Sequence, residues 1–268
     1  GYNAISGDLH LIDQIEMVDQ NPIGKSSRSN PVTYIKAYDA IRDLYSKQAL
    51  SKIRGFLPKH FSFNVDGGRC DTCKGEGEQL VEMQFLADVH LTCEDCGGKR
   101  FKETVLEVQY KGKNIYEVLE MSVDEAIAFF SEEKNIVFAI SPLQEVGLGY
   151  VKLGQSSSTL SGGEAQRVKL ASFLGKGKAS NKMLFIFDEP TTGLHFHDIH
   201  KLLKAFNALI DQGHSLIVVE HNTDIIKVAD WVIDMGPEAG EGGGTVVYAG
   251  VPKGLAKSKA SQTGKYLD

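Results

Sequence analysis

No stretch of about 18 apolar residues occurs anywhere in the 268-residue sequence, which excludes a membrane-spanning helix. No basic, apolar, small-residue leader is visible, so no secretory signal is read and a cytoplasmic setting is expected. There is no internal repeat and no long low-complexity tract. Hydrophobic residues at 42% and charged residues at 24% exclude a disordered chain. Basic residues are outnumbered by acidic ones, 29 to 35, for a net charge of −6, which argues against a uniformly basic nucleic-acid binder. Cysteine is scarce, with four in the whole chain, and their placement is the first specific signal.

Charge is unevenly spread. Between Gln20 and His60 stand eight basic residues (Lys25, Arg28, Lys36, Arg42, Lys47, Lys52, Arg54, Lys59) and two acids (Asp39, Asp43), a segment of +6 in a remainder of −12. Either this is a solvated helix face, or it is a phosphate-facing surface on an otherwise acidic protein.

The cysteines form two pairs, Cys70-x-x-Cys73 and Cys93-x-x-Cys96, with nineteen residues between them. A two-residue gap lets both sulfurs of a pair face one ion, and two such turns complete a tetrahedron around Zn²⁺. Gly75 and Gly97-Gly98 follow the turns, where a backbone without Cβ can fold tightly beneath the sulfurs. Strands over 79–86 and 89–92, with a turn at Ala87-Asp88, fill the interval. Two disulfides or redox dithiols are the rival readings; the missing secretory signal disfavours the first, and a second matching pair is not explained by the other. Four thiolate ligands leave no open position, so the metal is expected to hold shape. Arg69, Lys74, Lys99 and Arg100 flank the turns, consistent with a tip that faces nucleic acid or with ordinary surface charge.

Elsewhere the pattern alternates between periods. Residues 1–19 read as strand and loop. Asn30-Pro31 reads as an N-cap with proline at the first helical position, followed by one amphipathic helix with apolar positions Tyr34, Ile35, Tyr38, Ile41, Leu44 and Tyr45. Thr104, Leu106, Val108 and Tyr110 alternate as a strand ending at Lys111-Gly112-Lys113. Ser122 and Glu125 form a capping box, and the helical stretch beyond it is expected to break at Ser141-Pro142 and stop near Gly147. From residue 150 the character changes. Residues 183–187 form an apolar run suited to a strand buried on both faces. A helix bearing Ile199, Leu202, Leu203, Phe206, Leu209 and Ile210 closes at Gly213. A second buried strand over 216–219 and a late strand over 245–248 complete an α/β pattern with a parallel sheet.

The run 183–187 ends in Asp188-Glu189, two carboxylates at the carboxyl end of a strand, where ligands of open α/β sheets sit. Asp188 is placed to hold Mg²⁺, and Glu189 to orient or deprotonate an attacking water, unless the pair merely caps the following turn. Upstream, Ser161 caps a helix that begins Gly162-Gly163, where phosphate oxygens can approach backbone N–H groups. The string from Thr159 to Arg167 resembles the signature motif of the ABC ATPase superfamily. That resemblance implies that Ser161, Gly162, Gly163 and Gln166 bind the γ-phosphate of ATP held by an opposing domain. It likewise makes the strand ending at Asp188 the Walker B strand, with Glu189 as its catalytic carboxylate. Thr191 to His195 becomes the D-loop, His221 the switch histidine, and Gln20 the Q-loop glutamine that links Mg²⁺ and the attacking water to the helical subdomain.

Three features narrow the resemblance: the run from Val18 to Tyr34, the zinc spacing placed before the signature, and Gly147-Leu148-Gly149-Tyr150 leading into it. Together they resemble the carboxyl-terminal ATPase half of the UvrA family, the damage-sensing subunits of the bacterial excision nuclease. Transporter ATPases lack a zinc module at this point. No Gly-x4-Gly-Lys-[Ser/Thr] phosphate loop is present: Gly24-Lys25-Ser26 is preceded by Asp19 where the first glycine should stand. The family's loop lies upstream of the glutamine segment, so the sequence is expected to be a fragment with little ATPase activity alone. The expected organisation is a Q-loop segment and start of the signature subdomain (1–65), a zinc insert (66–100), the rest of the signature subdomain (101–180) and an ATP-binding core (181–268). The resemblance implies ATP and Mg²⁺ beside structural Zn²⁺, a homodimer of the parent, lesion-bearing duplex DNA, and a UvrB partner docking elsewhere. DNA contacts are expected from Lys25, Arg28, Lys74, Lys99 and Arg100. The alternative is an SMC-like or transporter-type ABC ATPase without a repair role.

Overall fold

Strand β1 (Gln14–Val18) opens a parallel sheet that the chain does not resume for more than 160 residues. A computed structural model describes residues 6–24, 28–81, 89–175, 181–236 and 244–267, with backbone only for Phe196 and His197. The chain forms two compact units, Gly1–Asp19 with Ser180–Asp268, and Gln20–Ala179 inserted between them. The first nineteen residues therefore group with residues 180–268, not with the segment that follows them as the expected 1–65 division had it.

The inserted unit begins with α1 (Pro31–Tyr34), capped by Asn30, whose side chain accepts from the Thr33 N–H at 3.0 Å. The single amphipathic helix expected here is two. The chain turns at Lys36, which has φ +64°, before α2 (Tyr38–Ser46) starts. The break lets Tyr38, Ile41 and Tyr45 face inward together. Both phenols are buried, which pushes their pKa values up, and both hydroxyls are satisfied: Tyr38 donates to the Phe61 carbonyl and Tyr45 to the Lys113 carbonyl, each at 2.7 Å. Helix α3 (Ala49–Arg54) ends at Gly55, and the cysteine-bearing insert follows with an antiparallel pair, β2 (Glu78–Val81) and β3 (Val89–Thr92). The remainder of the expected strand 79–86 and its turn at Ala87-Asp88 lie outside the described residues.

Where an alternating strand was expected from Thr104, the chain instead makes a helical turn, α4 (Glu103–Leu106), and only then a short hairpin, β4 (Gln109–Tyr110) and β5 (Lys113–Asn114). The residues actually buried are Val105 and Val108, three apart, so the core selected a helical spacing over the alternation. Lys111 and Gly112 both take positive φ, as a two-residue hairpin turn requires. Helices α5 (Ile115–Leu119) and α6 (Val123–Phe129) each begin with a complete capping box, Asn114 with Glu117 and Ser122 with Glu125. Helix α7 (Lys134–Glu145) runs through Pro142 without breaking. Pro142 has no N–H to offer the Phe138 carbonyl, and Phe138 is an exposed residue. Backbone bonds then zip 119–124 against 149–154, and helix α8 (Gly162–Leu174) closes the unit.

Back in the first unit, β6 (Met183–Asp188) pairs in parallel with β1 on one side and with β7 (Ser215–Val219) on the other. Helix α9 (Phe196–Asp211) covers one face, with Phe187 and Phe206 rings 4.7 Å apart. Burying one such side chain contributes about 1.5–3 kcal/mol. The expectation of strands buried on both faces is corrected here: Phe185 and Phe187 are buried, but Ile15, Met17, Ile217 and Val219 on the opposite face are about half exposed or more. Helix α10 (Thr223–Val228), the antiparallel pair β8 (Val232–Gly236) and β9 (Thr245–Gly250), and α11 (Pro252–Leu255) complete the unit. Among the described residues, no helix is long and apolar enough to cross a membrane.

Candidate functional site

The four cysteines converge. All four are free thiols, and their sulfurs lie within 4.8 Å of one another. Cys70 Sγ is 3.9 Å from Cys93 Sγ, and Cys73 Sγ is 3.7 Å from Cys96 Sγ. A tetrahedral ion with metal–sulfur bonds of about 2.3 Å sets its ligand sulfurs about 3.8 Å apart, so the cluster fits a metal. It fits no disulfide, which needs about 2.05 Å. Burial first, and then the neighbouring Cys73 and Cys93 thiols, push the Cys96 thiol up to about 12. Gly75, at φ +87°, follows the first turn as expected, and a Cβ there would come within 2.0 Å of the Phe63 carbonyl oxygen. Gly77, which the sequence reading passed over, donates its N–H to Cys73 Sγ at 3.3 Å and accepts from the Cys93 N–H at 2.9 Å, tying the two turns together.

The basic residues around this cluster divide into two groups. Lys74 and Lys99 are exposed. Arg28 and Arg100 are engaged within the protein. Arg28 Nε lies 3.1 Å from Glu76 Oε1, and its Nη1 lies 3.3 Å from the Lys74 carbonyl. Arg100 Nη1 donates to the Gly154 carbonyl at 3.2 Å, with its guanidinium 5.7 Å from the Phe63 ring centre. Ser29 accepts from the Ser157 N–H at 2.7 Å in the segment that leads to α8. Lys25 lies outside the described residues.

Helix α8 begins as the sequence implies. The Ser161 side chain accepts from the Glu164 N–H, and Glu164 Oε2 accepts from the Ser161 N–H at 2.7 Å. Tyr150 donates to Glu164 Oε1 at 2.7 Å, an anchor not anticipated from the sequence. Burial alone would raise the Glu164 carboxyl; the hydrogen bonds from Tyr150 and Ser161 outweigh it and hold the group below the usual range. Gly162 is packed against Gln20: a Cβ there would stand 2.9 Å from Gln20 Oε1 and 3.3 Å from the Gln20 carbonyl oxygen. Gly163 and Gln166 are buried in the first two turns.

In the other unit, Asp188 and Glu189 stand exposed at the carboxyl end of β6. Glu189 takes φ +44°, which only a surrounding structure can impose on a non-glycine residue, and its N–H donates to the Val219 carbonyl at 2.9 Å. That bond carries the β6–β7 ladder one residue past Asp188 on the β6 side, still onto Val219, and brings the turn after β6 beside the loop holding His221. Glu220, not singled out from the sequence, lies between them. Its Oε1 accepts from the Thr191 N–H at 2.8 Å, and its Oε2 accepts from the N–H groups of His221 and Asn222 at 2.9 and 3.0 Å. Burial would raise this carboxyl, but the Thr191 hydroxyl and these three N–H groups hold it below the usual range. Asp188, Glu189 and His221 thus share one unit, and Gln20, Ser161, Gly162, Gly163 and Gln166 share the other.

No protein-family model matches the chain. The UvrABC system protein A of Staphylococcus aureus (strain COL) is 53% identical over 266 residues, covering 99% of this chain and 28% of that protein. The protein of the same name from Aquifex aeolicus (strain VF5) is 53% identical over 259 residues, 97% of this chain and 28% of its own length. The crystal structure of UvrA2 from Deinococcus radiodurans superposes with a TM-score of 0.90 at 45% identity, covering 98% of this chain and 32% of that one. With this neighbour, the mixed architecture is of the ABC-ATPase type, a nucleotide-binding fold carrying a helical signature subdomain and a thiol-rich insert. Within that class the chain is homologous to a segment of UvrA, and it spans about 28% of the length of the curated relatives it matches.

Proposed function

We propose that this chain is part of an ATP-dependent DNA-damage recognition protein of nucleotide excision repair. The observation that carries this reading is the 53% identity to UvrABC system protein A over 99% of the chain. In this reading Cys70, Cys73, Cys93 and Cys96 hold one Zn²⁺, which supplies a four-way cross-link and no reactive position. Asp188 holds Mg²⁺, which supplies positive charge to the phosphates of a bound nucleotide. Glu189 takes the proton of the attacking water, His221 serves as the switch histidine near the γ-phosphate, and Gln20 links Mg²⁺ and the attacking water to the helical subdomain. Ser161, Gly162, Gly163 and Gln166 receive the γ-phosphate of a nucleotide held by an opposing ATPase half. The insert grips DNA through phosphates, as a sensor of varied lesions must, because the damaged base offers no constant edge to read. Its partners are lesion-bearing duplex DNA, a second copy of the full-length protein, and UvrB, all in the cytoplasm.

The test is a salt-dependent titration of the full-length protein with damaged and undamaged duplexes, with and without ATP. The reading expects tighter binding to damaged DNA, a nucleotide-dependent difference, and a steep loss of affinity with salt. Equal affinity for the two duplexes at every nucleotide state sinks it.

A further inference from the structure

The β6–β7 ladder ends at the bond from the Glu189 N–H to the Val219 carbonyl. Beyond it the two chains part, one into the turn 189–192 and the other into the loop that precedes α10. The strand register of β6 with β7 has ended by this point, at Asp188 and Val219. The Glu220 carboxylate occupies that gap, one oxygen on each side: Oε1 takes the Thr191 N–H, and Oε2 takes the His221 and Asn222 N–H groups. On the first side, the Thr192 N–H closes the turn onto the Glu189 carbonyl at 3.1 Å, so holding Thr191 holds Glu189 in its positive-φ conformation. On the second side, the Asn222 side chain caps α10 through the Asp224 N–H at 2.9 Å, so the same carboxylate also anchors the start of that helix.

We infer that Glu220 is a positioning residue of the hydrolytic site, a clamp that sets the distance between the turn carrying Glu189 and the loop carrying His221. The inference rests on the proposed roles of Glu189 and His221. Glu220 is not itself the base. Both its oxygens are committed to N–H donors, and those donors favour its ionised form, which makes it a poor proton acceptor. A clamp needs a group with acceptors at both ends and no donor, and a carboxylate is the side chain that meets this. Glutamine keeps the length but turns an NH₂ toward one of the two loops.

The test pairs two measurements on Glu220→Gln, with Glu189→Gln as the parallel arm. Amide hydrogen exchange, followed by NMR in the 268-residue chain, is expected to speed up about tenfold or more at Thr191, His221 and Asn222. Phe185, Phe187 and Ile217 in the ladder should stay within about twofold. In the full-length protein, kcat for ATP should fall about 10- to 100-fold while KM stays within about threefold, because the clamp acts on geometry reached in the transition state. Unchanged exchange at the three amides overturns the clamp. Loosening of the whole ladder together overturns it too, by making Glu220 a general structural residue. If kcat survives in Glu220→Gln but not in Glu189→Gln, the positioning role fails alone. If kcat survives in both, the hydrolytic reading of Glu189 fails.

Discussion

Gln20 and Gly162 touch across a separation of 142 positions in the sequence, with Gln20 Oε1 2.9 Å from where a Gly162 methyl group would stand. The contact places the glutamine at the amino-terminal end of α8, beside the Ser161 cap. It makes the absence of a side chain at Gly162 a requirement of geometry. Alanine favours a helix over glycine by about 1 kcal/mol, so Gly162→Ala has a gain to set against the crowding. We expect the melting temperature to move by only a few degrees while the Gln20 side chain is displaced. Its side-chain amide resonances should shift by NMR. An unshifted Gln20 would show that the packing relaxes elsewhere.

The thiol cluster should carry one zinc per chain, measured by elemental analysis of protein purified without chelators. Cys73→Ser removes one ligand and the acceptor for the Gly77 N–H. Residues 66–100 should then lose protection from proteolysis while the β1–β6–β7 sheet keeps its own. Metal-free protein with all four thiols intact contradicts the assignment.

The arginines and lysines around the insert should separate by experiment. Lys74→Ala with Lys99→Ala removes two exposed charges. In the full-length protein it should make the salt slope of DNA binding shallower by about one unit per lost phosphate contact, with stability unchanged. Arg28→Ala breaks the pairing with Glu76 and the bond to the Lys74 carbonyl, and Arg100→Ala frees the Gly154 carbonyl. Each should lower stability by about 0.5–1.5 kcal/mol in denaturant melts. A slope insensitive to both lysines argues that this face is merely solvated.

Acid should weaken the fold through Glu164 and Glu220. Both are held below the usual glutamate value of 4.5, so the folded state binds the ionised form more tightly than the unfolded chain does. Their stabilisation is complete above that value and is lost as pH falls through the lowered folded-state values. The denaturation midpoint should therefore drop on going below about pH 4.5. Glu164→Gln should flatten part of that dependence; an unaltered pH profile in the variant refutes the assignment.

Alone, the 268-residue chain should hydrolyse ATP at no more than background rate, since its sequence contains no Gly-x4-Gly-Lys-[Ser/Thr] to cradle the phosphates. In the full-length protein, Glu189→Gln should retain bound ATP. Turnover by the isolated chain that disappears with Glu189→Gln contradicts this.

Local chemistry was legible in the sequence wherever neighbours in the chain sufficed. The Asn30, Ser122 and Ser161 caps, the convergent cysteine pairs and the parallel strands follow from spacing. What escaped depended on partners far away in the chain. Alternation at 104–110 read as a strand because the pocket that buries Val105 and Val108 is not visible locally. Pro142 read as a break because nothing nearby shows that the carbonyl it leaves belongs to an exposed residue. Arg28 and Arg100 are expected DNA contacts from the sequence, which does not show their partners within the protein, Glu76 and the Gly154 carbonyl, because only the fold assigns those. Glu220 was overshadowed by His221, since three backbone donors leave no signature in a sequence.

The insertion between β1 and β6 also orders events in time. Gln14 pairs with Met183 and Val18 with Phe187, so the sheet closes only across the whole of the Gln20–Ala179 unit. As a flexible loop that segment would carry a closure entropy growing with the logarithm of its length, and contacts of such separation form slowly. Once collapsed on its own core it is a short, stiff spacer. The inserted unit should therefore fold early, and β1, synthesised before β6, must wait for it with its strand edge unpaired.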